Sequence, residues 1–330
     1  MQNTCFHIGH LSVKPPLVLA PMAGLTHSAL RTIISGFGGC GLLSTEMLPA
    51  RSLVAENPNV SPFLIRSEAE KPLSYQLLAG RPEDIEPAVK RLEELGAAAI
   101  DLNLGCGAPK VRRAGCGIAL WEDRSRLVAV VRQIRRCTRL PFTAKIRLGP
   151  APDEEKFMER VKLLEDLGLD ALYIHARLDR ESFSRPPRWE FAGMAKEWIS
   201  IPVIINGGIF SLSDAKKCLS QSGADGLMIG RAAAVKPWIF SDIASSLFGF
   251  EADPEKKDLP GLYLEFYQLL VSRFPEERRL GRLKEFTHHF ARNYPFGNRL
   301  AMAVQRAGSM EHARNLALEF FEKNVGTERI

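Results

Sequence analysis

Pro202–Gly230 reads PVIINGGIFSLSDAKKCLSQSGADGLMIG. A β-branched run ends in Asn206 and a glycine pair, a helical pattern follows over Ser213–Ser220, and a second short apolar run closes at Gly230. Two buried-type strands with one helix between them predict a parallel pair joined by a helical crossover, because a parallel return needs a connection of that length. The same unit recurs upstream. Strands are predicted at Leu17–Met22 (LVLAPM), Gly41–Glu46, Leu73–Leu78 (LSYQLL), Ala99–Leu104 (AIDLNL), Phe142–Arg147 (FTAKIR) and Ala171–Ala176 (ALYIHA). Helical patterns lie between or after them at Thr26–Ser35 (capped by Thr26), Pro82–Leu95 (stopped by Gly96), Arg124–Arg136, Asp153–Leu167, Trp189–Trp198 and Pro237–Leu247. With Pro202–Asn206 and Gly226–Gly230 this makes eight strand–helix units, which predict an α/β fold of the closed (β/α)8 TIM-barrel type. No Gly-x-Gly-x-x-Gly follows the first strand, which argues against a dinucleotide-binding open sheet.

The pattern changes after Phe250. Glu251–Pro260 (EADPEKKDLP) reads as a polar linker, and beyond it only helical periodicity remains, over Leu262–Ser272, Glu276–Ala291, Arg299–Arg306 and Met310–Glu322. The expected organisation is a catalytic barrel over 1–250 and a small all-α helical domain over 251–330. The 330 residues are 45% apolar and 25% charged, with 26 Gly and 21 Pro, which excludes gross disorder and collagen-like repeats. No apolar run reaches the ~18 residues of a membrane span, and the N-terminus lacks the charged start and apolar core of a signal peptide. Six scattered cysteines predict reduced thiols in the cytoplasm rather than a disulfide framework. Metal binding is not expected, since Cys106 and Cys116 lack a second ligand pair. With no oligomer signal, a monomer is the default.

Lys plus Arg exceed Asp plus Glu by six, and the excess is concentrated. Asn103–Arg147 carries eleven basic residues against two acidic ones, and Arg278–Arg314 carries eight against two. Two such zones suggest an anionic partner, plausibly nucleic acid; the bland alternative is a solvated basic face.

Chemistry in such a barrel sits at the C-terminal ends of the strands. Asn206-Gly207-Gly208 and Gly230-Arg231 close the last two strands, where backbone N–H groups and a bidentate Arg231 suit a phosphate-bearing cofactor, although glycines also simply turn a chain. Lys145 interrupts an apolar strand, a costly place for a lysine unless it faces a site, where its charge could stabilise a reduced flavin. Gln76 suits an isoalloxazine edge but could equally be a buried, satisfied amide, and His175 alone reads either as a ligand or as a hydrogen-bonded core histidine. Cys106 stands in a Gly-flanked turn beside Lys110, Arg112 and Arg113. A small buried thiol is the default for one cysteine, whereas at a strand end a thiol of ordinary pKa (about 8.5) is protonated at neutral pH and can donate.

The order of these motifs resembles the tRNA-dihydrouridine synthase family. The stretches that carry the resemblance are LAPMAGLTHSALR (Leu19–Arg31), SYQL (Ser74–Leu77), AIDLNLGCGAPKVRRAGCGIAL (Ala99–Leu120), AKIRLG (Ala144–Gly149), YIHAR (Tyr173–Arg177), VIINGGI (Val203–Ile209) and DGLMIGRAA (Asp225–Ala233), with FARNYPFGNRLAMAVQRA among the C-terminal helices. The resemblance implies an FMN-containing barrel and an RNA-gripping helical domain, acting on tRNA with NADPH (or NADH) as reductant. It implies that Pro21, Met22 and Ala23 line the flavin, that Gln76, Lys145 and His175 contact its ring system, and that Asn206, Gly207, Gly208, Gly230 and Arg231 hold the phosphate and nearby groups. It further implies hydride transfer from flavin N5 to uracil C6 and proton donation from Cys106 to C5, with Asn103 facing the uracil. The family usually has Pro directly after this cysteine; Gly107 stands there and Pro109 comes two later, which predicts a looser loop, and Cys116 is a second thiol nearby. The rival readings are an FMN barrel acting on small molecules, of the dihydroorotate dehydrogenase or ene-reductase kind, and a non-catalytic RNA-binding protein on the same fold.

Overall fold

In the computed structural model, which describes residues 4–251, 258–324, 326 and 327, eight parallel strands close into a barrel. They are β3 (Leu17–Leu19), β4 (Leu43–Pro49), β5 (Leu73–Leu78), β6 (Ala99–Leu104), β7 (Phe142–Arg147), β8 (Ala171–His175), β9 (Val203–Asn206) and β10 (Gly226–Ile229). Each pairs with its sequence neighbour, β10 returns to β3, and a parallel bridge between Val18 and Leu42 closes the ring. Two strands absent from the sequence reading, β1 (Phe6–Ile8) and β2 (Leu11–Val13), form an antiparallel hairpin around Gly9. Phe6, Ile8 and Val13 pack with Val18, Tyr173, Ile204 and Met228, so the hairpin plugs the N-terminal end of the barrel and leaves the other end open.

The expected helices are present with shifted ends. They are α1 (Ser28–Phe37), α3 (Ile85–Glu94), α6 (Arg124–Cys137), α7 (Glu154–Asp166), α8 (Glu190–Trp198), α9 (Leu212–Ser222) and α11 (Ile239–Phe248), and four short helices interrupt the loops: α2 (Ala50–Leu53), α4 (Pro109–Arg113), α5 (Ile118–Glu122) and α10 (Arg231–Val235). Caps set several of the starts: Asp123, Asp153 and Ser211 accept from the backbone N–H of Arg126, Lys156 and Asp214, each such cap contributing about 1 kcal/mol. In α6 Leu127, Val130, Val131 and Ile134 face the sheet, each burial adding about 1.5–3 kcal/mol, while arginines occupy the outer face. Thr26 does not cap α1; His27 takes that position and the Thr26 hydroxyl instead exchanges hydrogen bonds with the Met22 backbone.

The expected linker Glu251–Pro260 falls largely on residues 252–257, outside those described. From Leu259 four helices follow: α12 (Leu259–Arg273), α13 (Arg279–Phe290), α14 (Gly297–Arg306) and α15 (Met310–Lys323). They share one apolar core with the barrel, α12 against α1 and α13 against α10. Polar anchors reinforce this contact. Arg273 donates to the Ser28 and Thr32 hydroxyls at 2.7 and 2.6 Å and reaches Glu70, itself paired with the buried Arg31 at 2.7 Å. Among the described residues no helix is long and apolar enough to cross a membrane.

Candidate active site

Parallel registry sets the functional side chains shoulder to shoulder at the open end. Asn103 lies opposite Lys145, Arg147 opposite His175, and His175 opposite Asn206. A cavity of about 350 Å3 opens there, within the range of small-molecule sites. Pro21, Met22, Gln76, Asn103, Cys106, Lys145, His175, Asn206, Gly207, Gly208, Gly230 and Arg231 all line it. Ala23 does not: it is exposed, because β3 stops at Leu19, three residues before the expected Met22, and the chain turns outward; Ala20 lines the wall instead.

A chain of buried hydrogen bonds runs across the strand ends toward the cysteine. The Thr143 hydroxyl donates to Asp101 at 2.8 Å, Gln76 Nε2 donates to Asp101 at 2.6 Å, and Asn103 Nδ2 donates to Gln76 Oε1 at 2.8 Å. Asn103 Oδ1 then accepts the backbone N–H groups of Gly105 (3.2 Å) and Cys106 (2.9 Å). On its other side Cys106 is held through its carbonyl, which accepts from Ile118 N at 3.1 Å. The approach is close: a Cβ on Gly117, which has φ +60°, would come within 2.4 Å of the Cys106 carbonyl oxygen, so only glycine fits there. The loop expected to be loose without its proline is thus tied on both sides of the thiol. Cys106 is half-buried and faces the cavity, whereas Cys116 is buried outside it, its thiol toward the Ala114 carbonyl at 3.5 Å and pushed up in pKa first by burial.

The charges at the cavity are mainly cationic, with Glu285 as the carboxylate in its lining. Lys145, Arg147, Arg177 and Arg231 converge on the cavity. Burial pulls the Lys145 ammonium down to about 8, with Arg147 adding to the shift and Asp101 opposing it, and among the described residues the ammonium has no hydrogen-bond or ion-pair partner. Burial likewise pushes Asp101 up to about 6 against the hydrogen bonds it accepts. His175 is held well below its ordinary range by burial and then by the four neighbouring cations, so its imidazole is neutral. Arg177 Nη1 lies 3.2 Å from His175 Nε2. Since arginine only donates, Nε2 accepts and the ring proton sits on Nδ1.

Several lining residues escaped the sequence reading. Arg147, which the sequence sets on the same strand as Lys145, and Arg177, two residues beyond His175, carried a usable signal but were not nominated. Phe183, from the loop after β8, carried none; its ring lies parallel to His175 and 4.1 Å from the Arg231 guanidinium. Glu285 and His289 reach the cavity from α13, a placement that no local pattern reveals. The first basic zone is in part neutralised, with Arg112, Arg124, Arg126 and Arg135 paired to Asp179, Glu159, Asp123 and Asp170.

A family model described as dihydrouridine synthase matches residues 18–316, barrel and helical region together. The chain belongs to the dihydrouridine synthase family. It is 29% identical over 324 residues to a probable tRNA-dihydrouridine synthase of Rickettsia bellii, covering 97% of this chain and 99% of that one. It is 35% identical over 236 residues to tRNA-dihydrouridine synthase B of Pseudomonas aeruginosa, covering 72% and 71%. The fold is also that of an old yellow enzyme homologue from Zymomonas mobilis, with a TM-score of 0.52, 12% identity and coverage of 76% of this chain and 96% of that one. The Asn103-x-x-Cys106 spacing has a geometric reason: three residues is the reach at which the Asn103 side-chain oxygen Oδ1 captures the Cys106 amide.

Proposed function

We propose that this protein reduces uridine in tRNA to 5,6-dihydrouridine, with FMN as cofactor, NADPH (or NADH) as reductant and Cys106 as proton donor. One observation carries the reading: in a chain of this family, a tethered thiol and a lysine with no hydrogen-bond or ion-pair partner among the described residues face the same cation-rich cavity. The residues present fit the cofactor. Lys145, Arg147, Arg177 and Arg231 offer a donor set suited to an anionic group, and Gly207, with φ +114°, turns the chain out of β9 at the wall. Pro21 and Met22 would pack on the flavin, Gln76, Lys145 and His175 would contact its ring system, and Asn206, Gly207, Gly208, Gly230 and Arg231 would hold its phosphate. The chemistry FMN brings when bound is hydride supply to uracil C6.

The protein's own part is positioning and proton delivery. Asn103 Oδ1 fixes the Cys106 backbone, while the second hydrogen on its Nδ2 remains available to the pyrimidine. Cys106 donates its proton to C5 of the base, and the thiolate left behind is stabilised by Lys145 and Arg147, both within Coulombic reach of that sulfur. The neutral His175 can donate through Nδ1 without adding charge. Drawing the base from its stack costs a few kcal/mol, which phosphate contacts to basic surface offset. On this reading residues 1–250 are the catalytic unit and 251–330 the RNA-gripping unit of a monomer. In the deciding experiment Cys106→Ala remains yellow and binds tRNA, but dihydrouridine formation falls by about 100-fold or more, while Cys116→Ala turns over normally. Unchanged turnover in Cys106→Ala would remove the thiol from the mechanism.

A further inference from the structure

The α13–α14 corner presents an outward surface that the catalytic cavity does not use. Asn293 and Tyr294 turn inward there, and Asn293 Nδ2 donates to the Val235 carbonyl at 2.6 Å, which fastens the corner to α10, the helix that begins at Arg231. Arg292, Phe296 and Arg299 turn outward. Phe296 is 53% exposed with the Arg299 guanidinium 5.1 Å from its ring centre. Arg292 lies 5.6 Å from the Phe210 ring, which Arg231 also approaches at 5.6 Å, and Arg231 in turn stacks on the 48% exposed Phe183 at 4.1 Å. Arginine and phenylalanine therefore alternate from Arg292 to the cavity mouth, and the Phe296–Arg299 pair stands on the same corner, Phe296 four residues beyond Arg292. Rings cover the guanidinium faces; Arg231 is kept for the cofactor, while the side-chain N–H groups of Arg292 and Arg299 make no hydrogen bond or ion pair among the described residues and can meet phosphate oxygens.

We propose that this Arg–Phe path is a stacking track for unpaired nucleotides next to the reacting uridine, with Phe296 as an outer platform for one base. The inference rests on the function proposed above and adds the surface that receives the flanking strand. Charge selects the partner: no Asp or Glu occurs from Phe286 to Met310, while Arg292, Arg299 and Arg306 do. Exposed rings beside cations that follow a backbone are the recognition chemistry of single-stranded nucleic acid, in which every base offers a π-face and every linkage a charge. The anchored corner makes the platform preformed, so binding need not order it.

The test uses the full-length, flavin-loaded protein and an unmodified tRNA transcript at fixed salt. Phe296→Ala raises Kd roughly tenfold, the size of one lost base stack. Phe296→Trp binds as tightly as the parent or more so. Arg299→Gln flattens the dependence of log Kd on log salt by somewhat less than one unit. All three retain flavin absorbance and the parental rate of flavin reduction by NADPH, which separates a lost contact from a damaged fold. If the parent binds the transcript and Phe296→Ala binds it equally well, the track is refuted and the ring serves another partner, such as a protein. If the parent itself binds no tRNA, the function proposed above falls, and this inference with it.

Discussion

Lys145 concentrates the residue-scale problem of the site. A cation in a barrel interior costs free energy, and burial has already brought its pKa down to about 8. The lysine is tolerated because the strand-end position gives it a cavity to face, and an anion in that cavity would restore its charge. The sign follows directly. A lysine with a lowered pKa is partly neutral at pH 8, an anionic ligand raises the pKa again, and binding must therefore take up protons. Calorimetry of FMN binding at pH 8, in two buffers of different ionisation enthalpy, is expected to report fractional proton uptake that fades toward pH 6.5. Lys145→Met should abolish the uptake and weaken binding by about tenfold, near 1.4 kcal/mol. Buffer-independent heats at pH 8 would mean that the ammonium does not sense the bound group.

At the scale of elements, α13 does the least anticipated work. Its residues 282, 285 and 289 recur at helical spacing on one face and meet the barrel in two ways. Glu285 and His289 line the cavity, and Arg282 reaches 3.9 Å from Glu46, a buried carboxylate within β4 that also accepts the Gly24 amide. Arg282 thereby steadies the Ala20–Gly24 turn that carries Pro21 and Met22. Glu46 is pushed up in pKa by burial, opposed first by Arg282. Arg282→Met should cost about 3 kcal/mol at pH 7, because it strands a buried charge. A carboxyl whose folded pKa exceeds its unfolded value penalises folding only above the unfolded value. The denaturation midpoint of the variant should therefore rise as the pH drops from 7 to 5, and adding Glu46→Gln should recover much of the loss. A midpoint indifferent to both changes would show that Arg282 contributes only packing.

For the whole molecule the decisive feature is the continuity of the core. Phe266, Phe286 and Phe290 of the helical unit stack in series, and Phe266 and Phe274 close over His27 at the start of α1. A chain ending at Phe250 would expose the barrel surface that these helices cover. Expressed alone, it should aggregate or bind flavin poorly, whereas the full chain should unfold in one cooperative transition by calorimetry. A soluble, yellow 1–250 fragment would establish the barrel as self-sufficient and the helices as an attachment.

The eight-unit barrel was legible because short β-branched runs alternating with capped amphipathic stretches depend on neighbours within a few residues. The same holds for the nominated residues: once Asn103, Lys145, His175 and Asn206 fall at or near the ends of successive parallel strands, registry alone brings them together. Ala23, expected beside the flavin from the resemblance, is exposed and outside the cavity lining, since the preceding strand ends at Leu19, where pairing with β10 stops, and not where the local pattern does. The Phe6–Val13 hairpin was overlooked because three-residue strands carry too little periodicity to register. Glu285, His289 and Phe183 had no sequence signal and Arg282 only its place in the second basic zone, since their roles arise from which surfaces dock. Local propensity and periodicity act over a turn or a strand and are written in the chain; contact between a helix near residue 285 and a strand near residue 46 is a long-range packing outcome, and folding alone brings it about.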